Sequence, residues 1–402
     1  MTVKAETKSL FTFEFLALCL VIAAAFCNIS VFYSFYYYLG VIDIPVVWRG
    51  FLVGLEPMSA FGLRLFVLPW LHVRNAYVIS MAALVLLIAV SCSYLFVTTV
   101  AGMIILRIIH GAVFVLLTSA VIFLMVNFIP PEKSGQGFSA LAVASMIPYA
   151  VIPPVTEALL PYLRNEADIY AGISVLSVAA ILLMAVLQKR ISNVLRGMET
   201  VLMRRPSVPE LRNNFKQGPV VILLTSVLFI YFVHATLFYF VKNLSLQTDV
   251  GNVGVFFTVN MGMMIVVRLL GAALFDRVNK QRLLIIVLAL IIVCLIALPG
   301  VSTIPLYYLL AAIYGGSIGV ALPILNALIF SASSPALRGF NTNMTLFAMD
   351  AGYFLTPYLG GILISSGTGF DTLFYIAAGC AVICILLITA LPFWIKEEKI
   401  HE

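Results

Sequence analysis

The chain has 402 residues, of which 63% are hydrophobic and only 10% are charged, and its mean hydropathy is +1.12. No water-soluble globular protein of this size tolerates so apolar a surface, so the composition indicates an integral membrane protein. The formal net charge is +6, but the basic residues are scattered between apolar runs. A nucleic-acid partner is therefore not expected. The cysteines fall inside apolar runs and the histidines are scattered, so no metal or other cofactor is expected either.

Apolar runs of roughly 20 residues, the length that crosses a bilayer, recur along the chain. The first run is too long for a signal-peptide core, so it is expected to remain as a helix. The runs predict twelve transmembrane helices, near 13–39, 50–70, 76–97, 100–127, 137–162, 170–187, 219–241, 252–275, 282–302, 305–330, 340–366 and 371–395.

Lysine and arginine fall mostly on one side of these spans. With the amino terminus inside, seventeen of them lie in cytoplasmic segments, against Arg49, Arg164 and Lys242 outside. Because cytoplasmic loops are enriched in basic residues, this bias predicts cytoplasmic N and C termini in a cell inner membrane.

Residues 188–218 separate the sixth and seventh spans and contain no apolar run long enough to cross a membrane. The segment carries seven cations and two prolines. It is predicted to be a cytoplasmic basic linker between two six-helix halves, at 1–187 and 219–402. Apolar residues at helical spacing favour a helix along the inner leaflet there, and a solvated linker is the alternative.

The two halves share one layout at a constant offset of 204 residues. A match of about ninety residues without an insertion predicts two equivalent halves. The matched positions are Arg64-Leu65 with Arg268-Leu269, His110-Gly111 with Tyr314-Gly315, Gly135 with Gly339, Tyr149 with Tyr353, and Pro153 with Pro357.

Two such halves, a basic linker and the segment GAALFDR after the eighth span resemble the major facilitator superfamily over the whole chain. The resemblance implies an all-α membrane protein with twelve transmembrane helices in two six-helix pseudo-repeated halves. The family motif between helices 8 and 9 is met by Gly271, Asp276, Arg277, Lys280 and Arg282. In the family this motif is a charged latch, which implies gating roles for its glycine, aspartate and first arginine.

Two further family motifs are present in part. Arg107 and Gly111 match the fourth-helix motif, whose arginine is associated with proton transfer in proton-coupled members. The antiporter motif of the fifth helix keeps only its proline, whereas the eleventh helix keeps more of it as DAGYFLTPYLGG.

Ionisable side chains inside the spans are costly unless they are paired or hydrated, so each is a functional candidate. Glu56 and Arg107 lie at matching depths and are expected to pair, either as a proton-carrying pair or as a permanent salt bridge. His110 shares a helix face with Arg107 and is expected to contact substrate. Arg64 and Arg268 are expected near the cytoplasmic helix ends, where they snorkel or hold the inner gate.

Asp350 lies near the middle of helix 11, with no basic residue at its depth on that helix. Its position in the first half is occupied by Met146, so the acid is not scaffold common to both halves. Asp350 is therefore the leading candidate for the titrating carboxylate, and a packing contact is the alternative. Glu157, near the outer end of helix 5, is either an outer gate or simply exposed.

In the resembled family, helices 1, 4, 7 and 10 line the central cavity. Aromatic runs in helices 1 and 7 would give this cavity a wall suited to a partly apolar or ring-bearing ligand. The predicted substrate-binding residues are Asn28, Tyr33, Arg107, His110, Tyr231, His234, Tyr314 and Asn326.

The sequence thus predicts a monomeric secondary active transporter of a small organic solute, not an enzyme, that rocks two halves around a midplane site. Proton coupling is favoured because ionisable groups lie within the spans and the chain contains no nucleotide-binding motif. Export of an amphipathic compound is the leading direction. The alternatives are proton-coupled uptake or facilitated diffusion of a polar or anionic metabolite, and lipid transport.

Overall fold

A computed structural model describes residues 10–67, 73–130, 133–196, 212, 214–275, 278–333 and 337–401. Within these ranges the chain is helical and contains no strand, which confirms the predicted fold class. The twelve helices are α1 (Phe13–Val41), α2 (Val46–Val67), α3 (Val73–Ser93), α4 (Val100–Val126), α5 (Ser134–Leu159), α6 (Glu166–Arg196), α7 (Gly218–Thr248), α8 (Val253–Phe275), α9 (Lys280–Ala297), α10 (Ile304–Ala332), α11 (Arg338–Ser365) and α12 (Phe370–His401).

In the described ranges, eleven of these helices are long and apolar enough to cross a membrane. The helix outside that set is α2, which contains Arg49, Glu56 and Arg64. These charged side chains lower its hydropathy, and two of them form ion pairs inside the bundle. Polar contacts with α4 and α11 therefore hold α2 in place.

A single turn of 3-10 helix at Val31–Ser34 interrupts α1 and changes its helical phase. As a result, the aromatic residues in and after this turn pack in two directions. Phe32 and Phe35 contact Tyr170 of α6, whereas Tyr36 contacts Phe240 of α7. The segment thus joins the first half to the second.

Most predicted span ends are reproduced, but α6 and α7 are longer than their apolar runs. The run of α6 was predicted to end at residue 187, whereas the helix continues to Arg196, inside the segment predicted to be the linker. The second case is α7. The run was predicted to end at residue 241, whereas the helix continues to Thr248. Lys242, assigned to an outer loop from the sequence, therefore lies inside the helix and is buried. A hydropathy pattern ends at the first charge, while a helix continues where that charge finds partners.

The two halves, α1–α6 and α7–α12, meet mainly where α2 packs on α11 and α5 packs on α8. Contacts within and between the halves recur at the offset of 204 residues. A Cβ on Gly111 would overlap the Glu56 carbonyl, and a Cβ on Gly315 would overlap the Asn260 carbonyl. These equivalent close approaches follow the register that the sequence repeat predicts.

Because the twelve described helices alternate in direction, α1 begins and α12 ends on one side of the bundle, here named the terminal face; the opposite side is the distal face. Close contacts between halves occur toward the distal face, where Tyr33 meets Phe257 and the backbone of Gly50 meets that of Gly361. The bundle is therefore closed at the distal face in this conformation.

Candidate functional site

An ion pair joins the two halves near the middle of the bundle. Arg64 Nε donates to Asp350 Oδ2 at 2.7 Å, and Arg64 Nη2 donates to Oδ1 at 3.4 Å. Side-chain exposure is only 14% for Arg64 and 8% for Asp350. Such a two-point, charge-assisted contact is strong and directional.

This pair bears on two expectations from the sequence. Asp350 has a cation supplied by α2 of the other half, whereas the sequence excluded a basic residue only at its depth on its own helix. Arg64 turns into the bundle instead of snorkelling to the surface, and its other alternative, a role in the inner gate, stays a prediction. The sequence did not indicate the pair, because the faces on which distant helices meet cannot be deduced from depth along a single helix.

The predicted contact between Glu56 and Arg107 is present, with Oε2 and Nη2 3.7 Å apart. Arg107 binds backbone more closely, because its Nε donates to the Leu52 carbonyl at 3.1 Å and its Nη2 to the Val53 carbonyl at 2.9 Å. Pro57, inside α2, has no N–H for the Val53 carbonyl four residues earlier. Arg107 thus supplies a donor that the helix lacks.

The Arg107 guanidinium also lies over the rings of Phe32 and Phe35, at 5.1 and 4.6 Å from their centroids. The whole Arg107 residue is only 1% exposed. In this conformation Arg107 is therefore a structural anchor of the first half and is not presented to a solute. This geometry corresponds to the permanent salt bridge, one of the two alternatives from the sequence.

Two other predicted substrate residues are held inside the first half. His110 is fully buried, and its Nδ1 lies 3.1 Å from the hydroxyl of Tyr94 on α3. The Asn28 amide donates to Ser177 of α6 at 3.1 Å and accepts from Ser91 of α3 at 3.2 Å. In this conformation both side chains thus have contacts with α3 or α6 of the first half, and their assignment to substrate binding stays a prediction.

The remaining predicted aromatic residues do come together, around α7. The His234 ring is parallel to that of Tyr314, with centroids 6.3 Å apart, and Tyr353 lies edge-on to it at 6.2 Å. Asn260 joins this group because its backbone packs against Gly315, next to Tyr314.

Several polar atoms of this central cluster (Tyr231, His234, Asn260, Tyr314 and Tyr353) have no partner. His234 Nδ1, the Tyr314 hydroxyl and both amide atoms of Asn260 are buried without a hydrogen bond to the described residues. Each unsatisfied buried group costs about 1–3 kcal/mol. These unpartnered atoms are hydrogen-bonding capacity that a polar ligand would use.

Aromatic rings connect this cluster to the first half. Tyr149 of α5 packs edge-on against Phe238 of α7 at 5.5 Å, and Phe238 contacts Tyr353 at 6.3 Å. Tyr149 and Tyr353 are repeat equivalents, and sequence reasoning used them only to establish the repeat. Asn260 was missed as well, although its equivalent in the first half is the singled-out Glu56. The repeat itself was the signal for all three.

Arg268 lies on α8 beside the central cluster, as an electrostatic neighbour of Tyr231 and His234. Its Nε is buried without a hydrogen-bond partner, and no ion pair among the described residues includes it. The burial of this nitrogen argues against snorkelling to the surface. The other alternative from the sequence, a role in the inner gate, stays a prediction.

A second charged cluster closes the distal face. Lys242 Nζ of α7 lies 2.8 Å from Glu157 Oε1 of α5 and 3.9 Å from Glu166 Oε1 of α6. The Tyr33 hydroxyl donates to the same Glu157 oxygen, and Lys242 lies over the Tyr37 ring at 5.0 Å. Tyr33, predicted to line the cavity, is thus part of the distal closure. Of the two alternatives for Glu157, an outer gate or simple exposure, its contacts with Lys242 and Tyr33 favour the gate.

The other predicted residues lie outside these clusters. Asn326 is exposed on the terminal half of α10. Gly271 lies in the last turns of α8, and Asp276 and Arg277 lie outside the described residues. The charged-latch assignment therefore stays a prediction.

A separate apolar cavity of about 200 Å³ lies between α7, α11 and α12. Its hydroxyl groups, on Thr236 and Thr356, donate to the Phe232 carbonyl. The cavity therefore offers little polar chemistry and is not the candidate site. Its lining is Phe232, Thr236, Phe240, Thr356, Leu359, Gly360, Ile362, Leu363, Leu373 and Ile376.

Comparisons with known proteins agree with the fold. The sequence model of the Major Facilitator Superfamily matches residues 18–355. The structure of a mutant of the nucleoside transporter NupG matches with a TM-score of 0.76 at 13% identity, over 94% of this chain and 99% of that chain. Another NupG structure matches with a TM-score of 0.72 at 13% identity, over 94% and 98% of the two chains. A sequence comparison with curated proteins found no match.

Proposed function

Because the chain belongs to the major facilitator superfamily and is a membrane transporter rather than an enzyme, we propose that it carries a small polar organic solute together with protons by alternating access. The observation that carries this proposal is the buried Arg64–Asp350 pair. It crosses between the halves beside a central cluster whose polar atoms lack partners.

The Arg64–Asp350 pair supports coupling because its two members belong to different halves. A rocking motion that moves α2 along or away from α11 stretches the contact. A carboxylate separated from its cation inside the bundle is costly and takes up a proton to become neutral. Protonation of Asp350 in turn frees Arg64 and lowers the cost of the motion, so that proton uptake and rocking are linked.

The composition of the central cluster supports a solute that combines a ring with hydrogen-bonding groups. The faces of Tyr149, Phe238 and Tyr353 offer stacking surfaces. The unpartnered atoms of His234, Asn260 and Tyr314 offer donors and acceptors. NupG is described as a nucleoside transporter, and a nucleoside has both properties, so nucleosides belong among the solutes to be tested.

Direction and sidedness complete the proposal. The terminal face is assigned to the cytoplasm of a cell inner membrane on the lysine and arginine bias. Uptake of a polar or anionic metabolite accords best with the unpartnered groups. Export of an amphipathic compound is the second candidate, and the aromatic wall favours it.

Transport by the purified chain in liposomes with an imposed pH gradient tests the proposal. The panel comprises nucleosides, aromatic carboxylates and their amides, cationic amphiphiles, and a fluorescent phospholipid, with a pH-sensitive dye inside. We expect the gradient to drive accumulation of one polar class together with dye-reported proton movement. Solute movement that does not depend on the pH gradient would contradict proton coupling and indicate facilitated diffusion. Movement of the phospholipid alone would contradict the proposed class of small polar solutes.

A further inference from the structure

The two interfaces between the halves, α2 with α11 and α8 with α5, are equivalent in the repeat and can be compared position by position. Gly54 of α2 lies against the Phe354 carbonyl of α11. At the equivalent place, the Thr258 hydroxyl of α8 donates to the Ala150 carbonyl of α5 at 2.7 Å. Both positions differ by the same 204 residues, so the interfaces share one register.

Deeper in the bundle the two interfaces still have equivalent positions, but the residues at these positions differ in charge. On one side Arg64 meets Asp350. On the other, the equivalent of Arg64 is Arg268, and the equivalent of Asp350 is Met146, which is buried. The second interface therefore has the guanidinium without the carboxylate.

An inward-turned guanidinium without a counter-charge is costly. Arg268 takes part in no ion pair among the described residues, and its Nε lacks a hydrogen-bond partner. Arg268 lies about two turns along α8 from Asn260, whose backbone packs against Gly315 of α10. Its charge acts on Tyr231 and His234 of the central cluster. A guanidinium presents a planar fork of donors that matches a carboxylate at two points.

We propose that the transported solute is a small organic carboxylate whose anionic group pairs with Arg268, in the place that Asp350 occupies in the other interface. The rest of the solute lies against Tyr231, His234 and Tyr314. The inference rests on the proposed transport function and gives that site a substrate class, the ring-bearing organic monoanions.

Placing the missing carboxylate in the chain itself tests the inference. Met146→Asp supplies an acid at the position equivalent to Asp350, and Met146→Asn is the matched control of the same shape without charge. We expect Met146→Asp to melt at or above the temperature of Met146→Asn in detergent, because its carboxylate neutralises Arg268. A melting temperature several degrees below that of Met146→Asn would show that no carboxylate can reach Arg268 and would overturn the inference.

Ligand stabilisation gives the second readout. Matched pairs such as benzoate with benzamide and 4-hydroxybenzoate with 4-hydroxybenzamide are titrated against the full chain while melting is followed. We expect carboxylates, but not amides, to stabilise the unmodified chain and the Met146→Asn variant. Met146→Asp should raise the carboxylate concentration needed by about tenfold or more. Equal effects of acid and amide across the panel, or an unchanged response in Met146→Asp, would overturn the inference.

The two proposals fail separately. If a pH gradient drives a neutral solute while no carboxylate binds, coupled transport stands and the anion site is wrong. If carboxylates bind through Arg268 but their transport ignores the gradient, the anion site stands and proton coupling is wrong.

Discussion

The two halves share a backbone plan but differ in how their buried arginines are engaged. In the first half, Arg107 donates to two backbone carbonyls of α2. In the second half, Arg268 Nε is buried without a hydrogen-bond partner among the described residues. Both halves contain other unpartnered polar atoms, such as His110 Nε2 and His234 Nδ1, but the unengaged guanidinium belongs to the second half.

The difference shows why a repeat position cannot be given one function in both copies. Glu56 and Asn260 are equivalent and have the same backbone contact with a glycine. Nevertheless, the Glu56 carboxylate lies 3.7 Å from the Arg107 guanidinium, whereas neither amide atom of Asn260 has a hydrogen-bond partner among the described residues. The contrast between satisfied and unsatisfied side chains therefore locates the site better than the motif does.

The largest expected effect is at the charged pair that joins the halves. Asp350→Asn keeps the shape of the side chain but removes the charge and the proton that can be exchanged. We expect loss of accumulation driven by a pH gradient, with solute exchange at equal pH retained. Counterflow and gradient-driven uptake in the same liposomes measure both.

Glu56→Gln is the matched control for this change, since it also neutralises a buried carboxylate of the central region. We expect it to lower stability, because Arg107 loses its counter-charge, while the response to the gradient remains. If the Asp350→Asn protein still accumulates solute with an undiminished response to the gradient, Asp350 is structural and coupling passes to Glu56 with Arg107 or is absent.

The next largest effect compares Arg107 with Arg268 directly. Arg107→Met leaves the Glu56 carboxylate without its counter-charge and the Leu52 and Val53 carbonyls without their donor, which costs about 3–5 kcal/mol for a broken buried pair. Arg268→Met removes a charge that has no partner, so its melting temperature should be unchanged or higher. Melting curves in detergent check both. Equal losses would mean that Arg268 is as firmly engaged as Arg107 and would end the contrast between the halves.

Much of the fold and part of the candidate site could be predicted from the sequence. Span number, the two halves and the repeat register follow from apolar length and residue spacing. The contact of Glu56 with Arg107 followed from equal depth on helices of the same half. The central position of Tyr231, His234 and Tyr314 agreed with the family resemblance, because these side chains come from α7 and α10.

The failures concern which way a side chain points. Arg64 and Asp350 are 286 residues apart, and their contact depends on which faces of α2 and α11 meet. His110 and Asn28 lie on helices that border the centre, yet their side chains turn toward α3 and α6. One sequence gives the depth of a residue along its helix, but the rotation of the helix is set by packing across the whole bundle.

A third prediction tests the close packing of the halves at the distal face. An added Cβ at Gly50 would overlap the backbone of Pro357 and Gly361, whereas Gly262 has nothing within 4 Å. Gly50→Ala should therefore push α2 from α11 and shift the population away from the distal-closed conformation, and Gly262→Ala should not. Cysteine-accessibility labelling from each side of the membrane measures the shift. Similar labelling of both variants would mean that the glycine contact does not control closure.

The smallest expected effect separates two tyrosines of the same segment. Tyr33 and Tyr36 are both buried, but the Tyr33 hydroxyl donates to Glu157, whereas the Tyr36 hydroxyl has no partner among the described residues. A hydrogen bond to a charged group contributes about 1.5–3 kcal/mol. Tyr33→Phe should therefore weaken the cluster around Lys242 and favour opening at the distal face by roughly tenfold or more in population.

Tyr36→Phe removes an unsatisfied hydroxyl and should leave the population unchanged or more closed. Labelling of distal positions in the two variants compares them directly, and a shift of equal size in both would show that ring packing, rather than the bond to Glu157, keeps this face closed.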